Sequence, residues 1–393
     1  MKSSHLIPLA DVATISNERI EPLDYPEKYF NYLGLENIES HTGHLLSVSP
    51  TQGFQIRSTK NVFHPGQILY GKLRPYLNKV HLATHEGICS TDIFVLVAKT
   101  EKVLPSFLAY FLRSSIVLSK VENLMQGANL PRISQESLLG IQIPLPPLTE
   151  QQRIVCLLDE AEALRKLRAQ AGARMAQFIP ALFHEMFGDP AINEKNWKID
   201  PLVNLTIKFS DGPFGSNLKT SHYVSNGVRV VRLQNIGVGE YVDDDKAYIS
   251  DAHFHTLNKH ECLPGDVIAG TMGNPNLRAC ILPDYIPIAL NKADCPQIRP
   301  NPKSATAEYI CWLLNMPSTL ELASGLIQGQ TRARISMGRL RELKVPIPPL
   351  PLQQEFAQRV QEAREIQSRQ ARSAERIEAL YQSMLSRAFA GEL

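Results

Sequence analysis

One short run has the spacing of a phosphate-binding loop. Gly66 to Lys72 fits GxxxxGK, in which backbone amides and a lysine hold nucleotide phosphates. Leu73 follows, however, where a Ser or Thr hydroxyl is needed to bind magnesium, and Arg74-Pro75 disfavours the helix whose N-terminus would face the phosphates. The sequence therefore does not predict a nucleotide site here.

Acidic and histidine residues also lack the spacing of a catalytic or metal site. Asp243 to Lys246 reads DDDK and could end a nuclease carboxylate–lysine motif, but no second carboxylate in a strand context accompanies it. A solvated turn is the favoured interpretation. The eleven histidines, His253 and His255 among them, show no metal-ligand spacing with Cys or Asp, so we expect no metal.

The cysteines and the first residues indicate the compartment. The six cysteines form no CxxC pair, and Met1 to His5 is polar, unlike the start of an apolar export segment. The apolar runs fall far short of the ~20 residues that a membrane helix needs. We expect reduced, mostly buried thiols in a cytoplasmic protein that has no membrane partner.

Length and charge bound the organisation of the chain. With 393 residues, 44% of them hydrophobic, the chain is long enough for two or three domains. Its 41 basic and 39 acidic residues nearly balance, so no overall positive field draws it to nucleic acid. Any surface that binds nucleic acid must therefore be local.

An internal repeat organises the sequence. Residues 123–155 read NLMQGANLPRISQESLLGIQIPLPPLTEQQRIV and residues 325–357 read GLIQGQTRARISMGRLRELKVPIPPLPLQQEFA, with 13 of 33 positions identical at an offset of 202. The chain is therefore a tandem duplication. Weaker matches lie upstream, at offsets of 198 and 199: YLGLENI (32–38) with VVRLQNI (230–236), and HPGQILYG (64–71) with LPGDVIAG (263–270).

Each repeat is predicted to have two parts. The first mixes short alternating or β-branched runs with frequent Gly, Pro and Asn, which is typical of a β-rich globular domain with a few helices. The second is rich in Ala, Leu, Gln, Glu and Arg and predicts a long helix. The fold class is α+β, with similar mixed domains at 1–148 and 189–350 and long helices at 149–188 and 351–393. Strands are expected near 67–69, 93–97, 228–233 and 266–269, and shorter helices at 105–121 and 306–323.

Both long helices carry apolar residues at heptad spacing, the pattern of a coiled coil. Each stripe has one polar interruption near its middle, Arg168 in the first helix and Gln370 in the second. Antiparallel pairing would bring these two residues near one layer, where a polar residue can fix the register. The alternative is that each helix packs separately on its own domain. The other predicted pairing residues are Ile154, Ala161, Leu164, Met175 and Phe178 in the first helix, and Phe356, Ala363, Ile366, Ile377 and Leu380 in the second.

Antiparallel helices would place the two globular domains at opposite ends of a rod with pseudo-two-fold symmetry. About 37 residues at 1.5 Å each span about 55 Å. Such a chain would act as two half-site readers on a duplex whose helical turn is roughly 34–36 Å. Because the domain sequences differ, the target would be asymmetric and interrupted by an unread spacer. The helix segments carry five basic and five acidic residues in 149–188 and six of each in 351–393, which suits protein partners better than phosphates.

Four motifs, in order along the duplicated plan of domain and helix, point to a known family: YLGLENIES (32–40), QIPLPPLTEQQRIV (142–155), DGPFGSNLK (211–219) and VPIPPLPLQQE (345–355). On these motifs the chain resembles the specificity subunit of type I restriction-modification systems over essentially its whole length. The resemblance implies two target-recognition domains and an antiparallel helix pair that acts as spacer. It also implies its partners in DNA methylation and phage defence: double-stranded DNA with a bipartite target, two methyltransferase subunits and, in the restricting form, two translocating nuclease subunits.

We expect the chain itself to be a non-catalytic subunit. A methyltransferase of the adenine-N6 class needs an Asn/Asp-Pro-Pro-aromatic motif, but Asn274-Pro275-Asn276 and Asn301-Pro302-Lys303 lack the second proline and the aromatic residue. No glycine-rich cofactor loop follows a clear strand. The resemblance therefore implies that the methyltransferase partners hold S-adenosylmethionine and that this chain binds no cofactor.

Candidate DNA contacts are Arg, Lys, Asn, Gln and Ser side chains in loops, since these groups reach phosphates and base edges. Asn37 and Asn235 recur in both repeats although the two domains should read different bases, so we interpret them as framework residues. Gly127 and Gly329 are interpreted as turn residues. The candidates are Lys72, Arg74, Asn78 and Lys79 in the first domain, and Ser216, Asn217, Lys219, Arg232, Gln234, Asn274, Asn276, Arg278, Arg332 and Arg334 in the second.

Two other functions fit the sequence. One is the specificity subunit of a smaller, type II-like system, in which a single methyltransferase–nuclease chain replaces the separate subunits. The neighbouring genes would distinguish it. The other is a coiled-coil scaffold whose flanking domains bind protein, and it predicts no sequence-specific affinity for DNA.

Overall fold

The computed structural model describes residues 6–127, 129–328 and 334–393. It divides the chain into a first unit, residues 1–170 with 372–393, and a second unit, residues 171–371. Each unit therefore contains one globular domain and parts of both long helices. Among the described residues, no helix is long and apolar enough to span a bilayer.

The first unit begins with short strands and ends in a long helix. Its helices are α1 (Pro105–Arg113), α2 (Ser115–Leu124), α3 (Gln135–Leu139), the first part of α4 (Leu148–Ala176) and the last part of the second long helix, α10 (Leu350–Ala390). Its strands are β1 (Leu6–Pro8), β2 (Ala13–Ile15), β3 (Arg19–Ile20), β4 (Tyr29–Phe30), β5 (Tyr32–Leu33), β6 (Thr51–Gln52), β7 (Lys60–Phe63), β8 (Ile68–Gly71), β9 (Val80–Leu82), β10 (Gly87–Cys89), β11 (Ile93–Ala98) and β12 (Gln142–Pro144).

Two four-stranded sheets form the first domain. One has the order β2-β11-β8-β9 and is antiparallel, and the other has the order β3-β7-β10-β5 with a parallel pair, β10 and β5. The strands β1 and β12 pair separately, as do β4 and β6. Side chains of α1, Phe107 and Phe111, are fully buried in one core with Ile68 and Leu96 of the first sheet. The apolar face of α1 therefore closes this sheet.

The second unit contains the end of the first long helix and most of the second. Its helices are the end of α4, α5 (Phe178–Phe187), α6 (Asp251–Thr256), α7 (Ala307–Asn315), α8 (Pro317–Ser324), α9 (Met337–Arg341) and the first part of α10 (Leu350–Ala390). Its strands are β13 (Lys198–Pro201), β14 (Thr206–Ser210), β15 (Tyr223–Val224), β16 (Val228–Val231), β17 (Tyr248–Ile249), β18 (Glu261–Cys262), β19 (Val267–Gly270), β20 (Arg278–Ile281), β21 (Ala289–Asn291), β22 (Gln297–Pro300), β23 (Ile327–Gln328), β24 (Arg334–Ile335) and β25 (Lys344–Ile347).

The second unit repeats one sheet of the first unit and part of the other, which here has five strands in the order β15-β17-β16-β21-β18. The order β14-β22-β19-β20 corresponds to β2-β11-β8-β9, and the parallel pair of β16 and β21 corresponds to that of β5 and β10. Even the register is kept, because Ile88 pairs with Tyr32 in one unit and Leu290 with Val230 in the other. The predicted α+β class and the duplication of a mixed domain are confirmed.

Each of the two predicted short helices is divided into two helices in the structure. The segment 105–121 is interrupted at Ser114, whose side chain accepts the Val117 amide at 3.4 Å and caps α2. The segment 306–323 is interrupted at Met316, and Pro317, which lacks an amide hydrogen, starts α8. The predicted strands were placed correctly, within one or two residues of β8, β11, β16 and β19.

A buried glutamine fixes the start of each long helix on its domain. The Gln151 side chain accepts the Leu104 amide at 2.9 Å and donates to the carbonyls of Lys102 and Pro146, both at 2.9 Å. The Gln353 side chain makes the same three bonds at an offset of 202. It accepts from Thr306 at 3.1 Å and donates to Ser304 at 3.1 Å and Pro348 at 2.8 Å. Both glutamines are fully buried, so each junction is rigid.

Replacing either glutamine by leucine is expected to destabilise the chain. Gln151→Leu or Gln353→Leu leaves one amide and two carbonyls without their buried partner, which costs about 1–3 kcal/mol of unfolding free energy. Chemical denaturation measures this loss. The matched controls are the exposed neighbours, Gln152→Leu and Gln354→Leu, for which we expect a change within about 0.5 kcal/mol. Equal effects of the buried and exposed substitutions would contradict the assigned role.

The long helices pair antiparallel within the first unit. Ile154, Leu158 and Ala161 of α4 share a core with Tyr381 and Phe389 of α10. Further along, Arg165 donates to Glu378 at 2.7 Å, and its guanidinium lies 4.1 Å from the centre of the Tyr381 ring. Residue numbers rise along α4 while those of the contacted residues fall along α10. The predicted antiparallel pairing is thus confirmed in this unit.

The second unit shows the same direction of pairing. The Phe183 and Phe356 rings meet edge to face with centres 5.6 Å apart, and Gln367 Nε2 donates to the Met175 carbonyl at 3.2 Å. Phe187 and Tyr309 complete this aromatic cluster. The alternative in which each helix packs only on its own domain is therefore wrong for both units.

The residues that are buried between the two long helices match the predicted pairing residues only in part. Ile154, Ala161, Phe356 and Ala363 are buried, whereas Arg168, Met175, Gln370 and Ile377 are half-buried. Four predicted pairing residues are exposed in the structure: Leu164, Phe178, Ile366 and Leu380. The prediction that they lie between the paired helices is therefore corrected. Further contacts are made four residues after Ile154, Ala161, Phe356, Ala363 and Ile377, by Leu158, Arg165, Val360, Gln367 and Tyr381.

The first long helix is also interrupted. The sequence predicts one helix over 149–188, whereas in the structure α4 ends at Ala176 and α5 begins at Phe178. Pro180 explains the interruption, because it has no amide hydrogen for the Ala176 carbonyl and its ring crowds that carbonyl. Arg168 belongs to the first unit and Gln370 to the second, so their shared layer stays a prediction.

Candidate nucleic-acid interface

The candidate loop of the first domain follows β8. Leu73 forms a β-bridge with Arg132, and Arg74 adopts a left-handed backbone conformation (φ 50°) in which its amide donates to the Pro131 carbonyl at 2.7 Å. The Arg74 side chain is exposed. The Lys72 ammonium lies 5.3 Å from the centre of the Phe94 ring. This loop therefore presents cations on a backbone that neighbouring segments hold in place.

Two other predicted residues of this loop belong to the framework. Asn78 is buried and its side-chain amide donates to the Arg113 carbonyl at 2.8 Å. The Lys79 ammonium donates to the Leu35 carbonyl at 2.6 Å. Both side chains satisfy backbone groups inside the domain. We therefore correct the prediction that Asn78 and Lys79 contact DNA.

Three exposed candidates of the second domain lie close together in residues 211–219. His253 Nε2 is hydrogen-bonded to the Asn217 carbonyl at 3.0 Å, and His222 Nδ1 accepts the Lys219 amide at 3.2 Å. The two imidazole rings lie 4.1 Å apart. The histidines thus hold the backbone of this loop and leave its polar side chains in solvent. Those exposed side chains are Ser216, Asn217 and Lys219.

Asp211 lies at the start of the same loop. Burial raises the pKa of Asp211 to about 6, because the carboxylate has lost solvent, and the nearby Asp294 charge adds to this effect. The Gly212 amide, which donates to the carboxylate at 2.8 Å, partly offsets it. The negative charge beside this loop is therefore lost as the pH falls through about 6.

The DDDK segment is a bend in which Asp244 and Lys246 are exposed, whereas Asp243 and Asp245 are half-buried and pair with arginines. Asp243 accepts a hydrogen bond from Arg229 at 2.6 Å, and Asp245 forms an ion pair with Arg232. The Arg229 side chain is buried. Acidic residues of this segment therefore compensate two arginines of the domain, and the contact of Arg232 with DNA stays a prediction.

Arg278 also belongs to the framework. Its guanidinium donates to the carbonyls of Leu233, Ile236, Met272 and Pro275 at distances of 2.7–3.2 Å. A planar group with five donors can satisfy several carbonyls at once, which is what this loop junction requires. The prediction that Arg278 reads DNA is therefore corrected.

The remaining candidates of the second domain differ in exposure. Gln234 and Asn274 are exposed, and Asn276 is half-buried. Arg334 is exposed at the start of β24. Arg332 lies outside the described residues, as does Gly329.

The recurrent asparagines are framework residues, as predicted. Asn37 Oδ1 accepts the Gly34 amide and Asn235 Oδ1 accepts the Arg232 amide, both at 2.9 Å, so each closes the same 3-10 turn. Asn235 is fully buried. Gly127 has a φ of 99°, which supports its interpretation as a turn residue.

Sequence reasoning missed Arg132, which lies beside Arg74 on the exposed surface. Its identity with Arg334 in the repeat was the available signal. The described residues contain no group of three or more His, Cys, Asp or Glu side chains placed to hold a metal. All six cysteines are free thiols, and only Cys156 is exposed.

Comparison with known proteins identifies the family. Residues 2–171 and 225–378 match the family model described as the type I restriction modification DNA specificity domain. These two matches cover most of the chain, so it belongs to this family. The resemblance inferred from the sequence motifs is confirmed.

Named relatives are specificity subunits. The chain is 32% identical over 180 residues to the EcoDI specificity subunit of Escherichia coli, a match that covers 45% of this chain and 39% of the relative. It is 26% identical over 339 residues to the EcoKI specificity subunit of Escherichia coli (strain K12), covering 78% of this chain and 69% of the relative.

Solved structures share the fold. A chain from a structure described as the basis of complex assembly and conformational transition of the type I R-M system has a TM-score of 0.68 and 22% identity. That match covers 99% of this chain and 98% of the other. The type I S subunit from M. genitalium has a TM-score of 0.55 and 14% identity, covering 98% and 96%.

Proposed function

We propose that the chain recognises an asymmetric, bipartite DNA target and directs partner methyltransferase subunits to it. Each domain reads one half-site. The paired helices set the length of the unread spacer between the half-sites, and in the restricting form the same chain also directs nuclease subunits to the DNA.

The observation that carries this proposal is the combination of a repeated framework with unlike exposed loops. Both domains keep the strand order of one four-stranded antiparallel sheet, the parallel strand pair of the other sheet and the same buried glutamine. The exposed side chains differ, with Arg74 in the first domain and Ser216, Asn217 and Lys219 in the second. Shared frameworks with different loops suit two readers of different sequences.

The long helices support the rest of the proposal. Pairing within each unit is antiparallel, and the helix segments carry no net charge, which favours protein partners over phosphates. The chain is proposed to be non-catalytic and to bind no cofactor, with S-adenosylmethionine held by the methyltransferase subunits.

Mapping methylated bases tests the proposal. The chain is co-purified with a cognate methyltransferase subunit, and methylated positions are sequenced in a random-sequence DNA library. We expect two unlike half-sites separated by a fixed number of unread base pairs. A continuous palindromic target, or no sequence preference in an assembly that binds S-adenosylmethionine, would refute it.

A further inference from the structure

Residues that are identical in the two units include both buried and exposed side chains. Gln151 and Gln353 are buried and satisfy backbone groups, so the framework explains their recurrence. Arg132 and Arg334 also recur, but their side chains are 46% and 54% exposed. Their recurrence needs an explanation outside the domain.

The surroundings of Arg132 are well defined. Its Nε lies 3.3 Å from Asp92 Oδ1. The Lys72 amide donates to the Asp92 carbonyl at 2.9 Å, and the Lys72 carbonyl accepts the Ile133 amide at 3.1 Å. Three segments thus converge, and the aspartate orients the inner edge of an exposed guanidinium.

The second unit repeats this arrangement with different neighbours. Arg334 lies 3.6 Å from Asp294. The Thr271 amide donates to the Asp294 carbonyl at 3.1 Å, and the Thr271 carbonyl accepts the Ile335 amide at 3.0 Å. The backbone bonds, the aspartate and the arginine are kept, whereas Lys72 is replaced by Thr271.

Stability does not account for this recurrence. An exposed ion pair contributes little to folding, because water competes for both charges. Base reading does not account for it either, since identical residues cannot distinguish two unlike half-sites. A ligand that is the same in both halves explains an exposed, oriented arginine in each.

We infer that Arg132 and Arg334 each bind a backbone phosphate of the DNA, one beside each half-site. This inference rests on the proposed function. Phosphates are the same at every base pair, and a guanidinium donates to them in a bidentate manner. In the first unit the exposed cation Arg74 lies beside this arginine, because its amide bonds to Pro131. Two neighbouring cations favour an anion, rather than a protein surface, as the ligand of this site.

Binding of the assembled complex to two duplexes tests the inference. One duplex carries the mapped target, and the other carries both half-sites scrambled. Fluorescence anisotropy is recorded over a series of KCl concentrations for Arg132→Gln, Arg334→Gln and Arg132→Lys. The control is Arg57→Gln, an exposed arginine of the first domain that lies outside the matched segments of the two repeats.

We expect each glutamine variant to weaken binding to both duplexes by the same factor, roughly 5- to 10-fold, and to lower the salt slope by about 1. Arg132→Lys keeps the charge and should retain the wild-type slope. Arg57→Gln should bind as wild type does, and melting curves should show that the variants stay folded.

Three results would overturn the inference. They are unchanged affinity in both glutamine variants, a loss confined to the mapped target, and a loss of methyltransferase subunits from the purified complex. Failure of the wild-type complex to distinguish the two duplexes would instead refute the proposed function, while a uniform loss in the variants would still support phosphate binding.

Discussion

Inserting seven residues into both long helices, after Gln170 and after Ala371, is expected to lengthen the preferred unread spacer by about 3 base pairs. Seven residues add about 10.5 Å of helix, and base pairs stack about 3.4 Å apart. A whole heptad keeps each seam facing its partner. The insertion points are the boundaries between the units, so contacts inside each unit are left intact.

The same insertion should weaken binding to the original target at least tenfold. Half-sites moved by about 3 base pairs are rotated by roughly 100° around the duplex, since one turn contains about 10–10.5 base pairs. The new optimum therefore requires twisted DNA and should bind less tightly than wild type binds its own target. A library of duplexes with spacers of graded length, scored by methylation, measures both effects.

Insertion into one helix alone is the matched control. It shifts one helix of the pair out of register with the other. We expect it to destabilise the chain without producing a new preferred spacer length in the DNA target. If the doubly inserted protein is folded and keeps its original optimum, the helices do not set the separation of the half-sites.

The heptad pattern shows what the sequence could and could not predict about the helices. It located Ile154, Ala161, Phe356 and Ala363 correctly, because these are apolar in both repeats. Steps of three and of four residues both approximate the helical period of 3.6, however. The sequence pattern therefore favours the apolar Leu164, three residues after Ala161, over Arg165, four residues after it. In the structure Arg165 lies between the paired helices instead, because Glu378 and the Tyr381 ring satisfy its guanidinium. Such partners come from another part of the chain, and a one-dimensional pattern does not show them.

The same limit applies to the candidate interface. Asn78, Lys79, Arg232 and Arg278 have the right side chains for DNA contact, yet each has a partner inside its domain. Residue type predicts what a side chain can bind, and the fold decides whether that capacity is already used. Recurrence between repeats was the stronger signal, but only burial separates framework residues such as Asn235 from exposed ones such as Arg334.

Exchanging the entire first unit for that of another family member is expected to change one half of the target and leave the other half unaltered. The exchange replaces residues 1–170 together with 372–393, which form one unit. Because the second domain keeps its own loops and its own helix contacts, its half-site should stay the same. Methylation mapping of the chimera in complex with methyltransferase subunits gives the result directly.

Exchanging residues 1–148 alone should give the same target but a less stable protein. The Phe389 ring at the end of α10 packs 5.1 Å from that of Phe107 and 5.3 Å from that of Phe111, and a foreign α1 would meet it with different side chains. Mismatched packing of this kind costs about 1–3 kcal/mol. Denaturation of the two chimeras side by side measures the difference. Equal stability would show that the helix ends do not belong to the domain core, and a change in both half-sites would show that the domains do not read DNA independently.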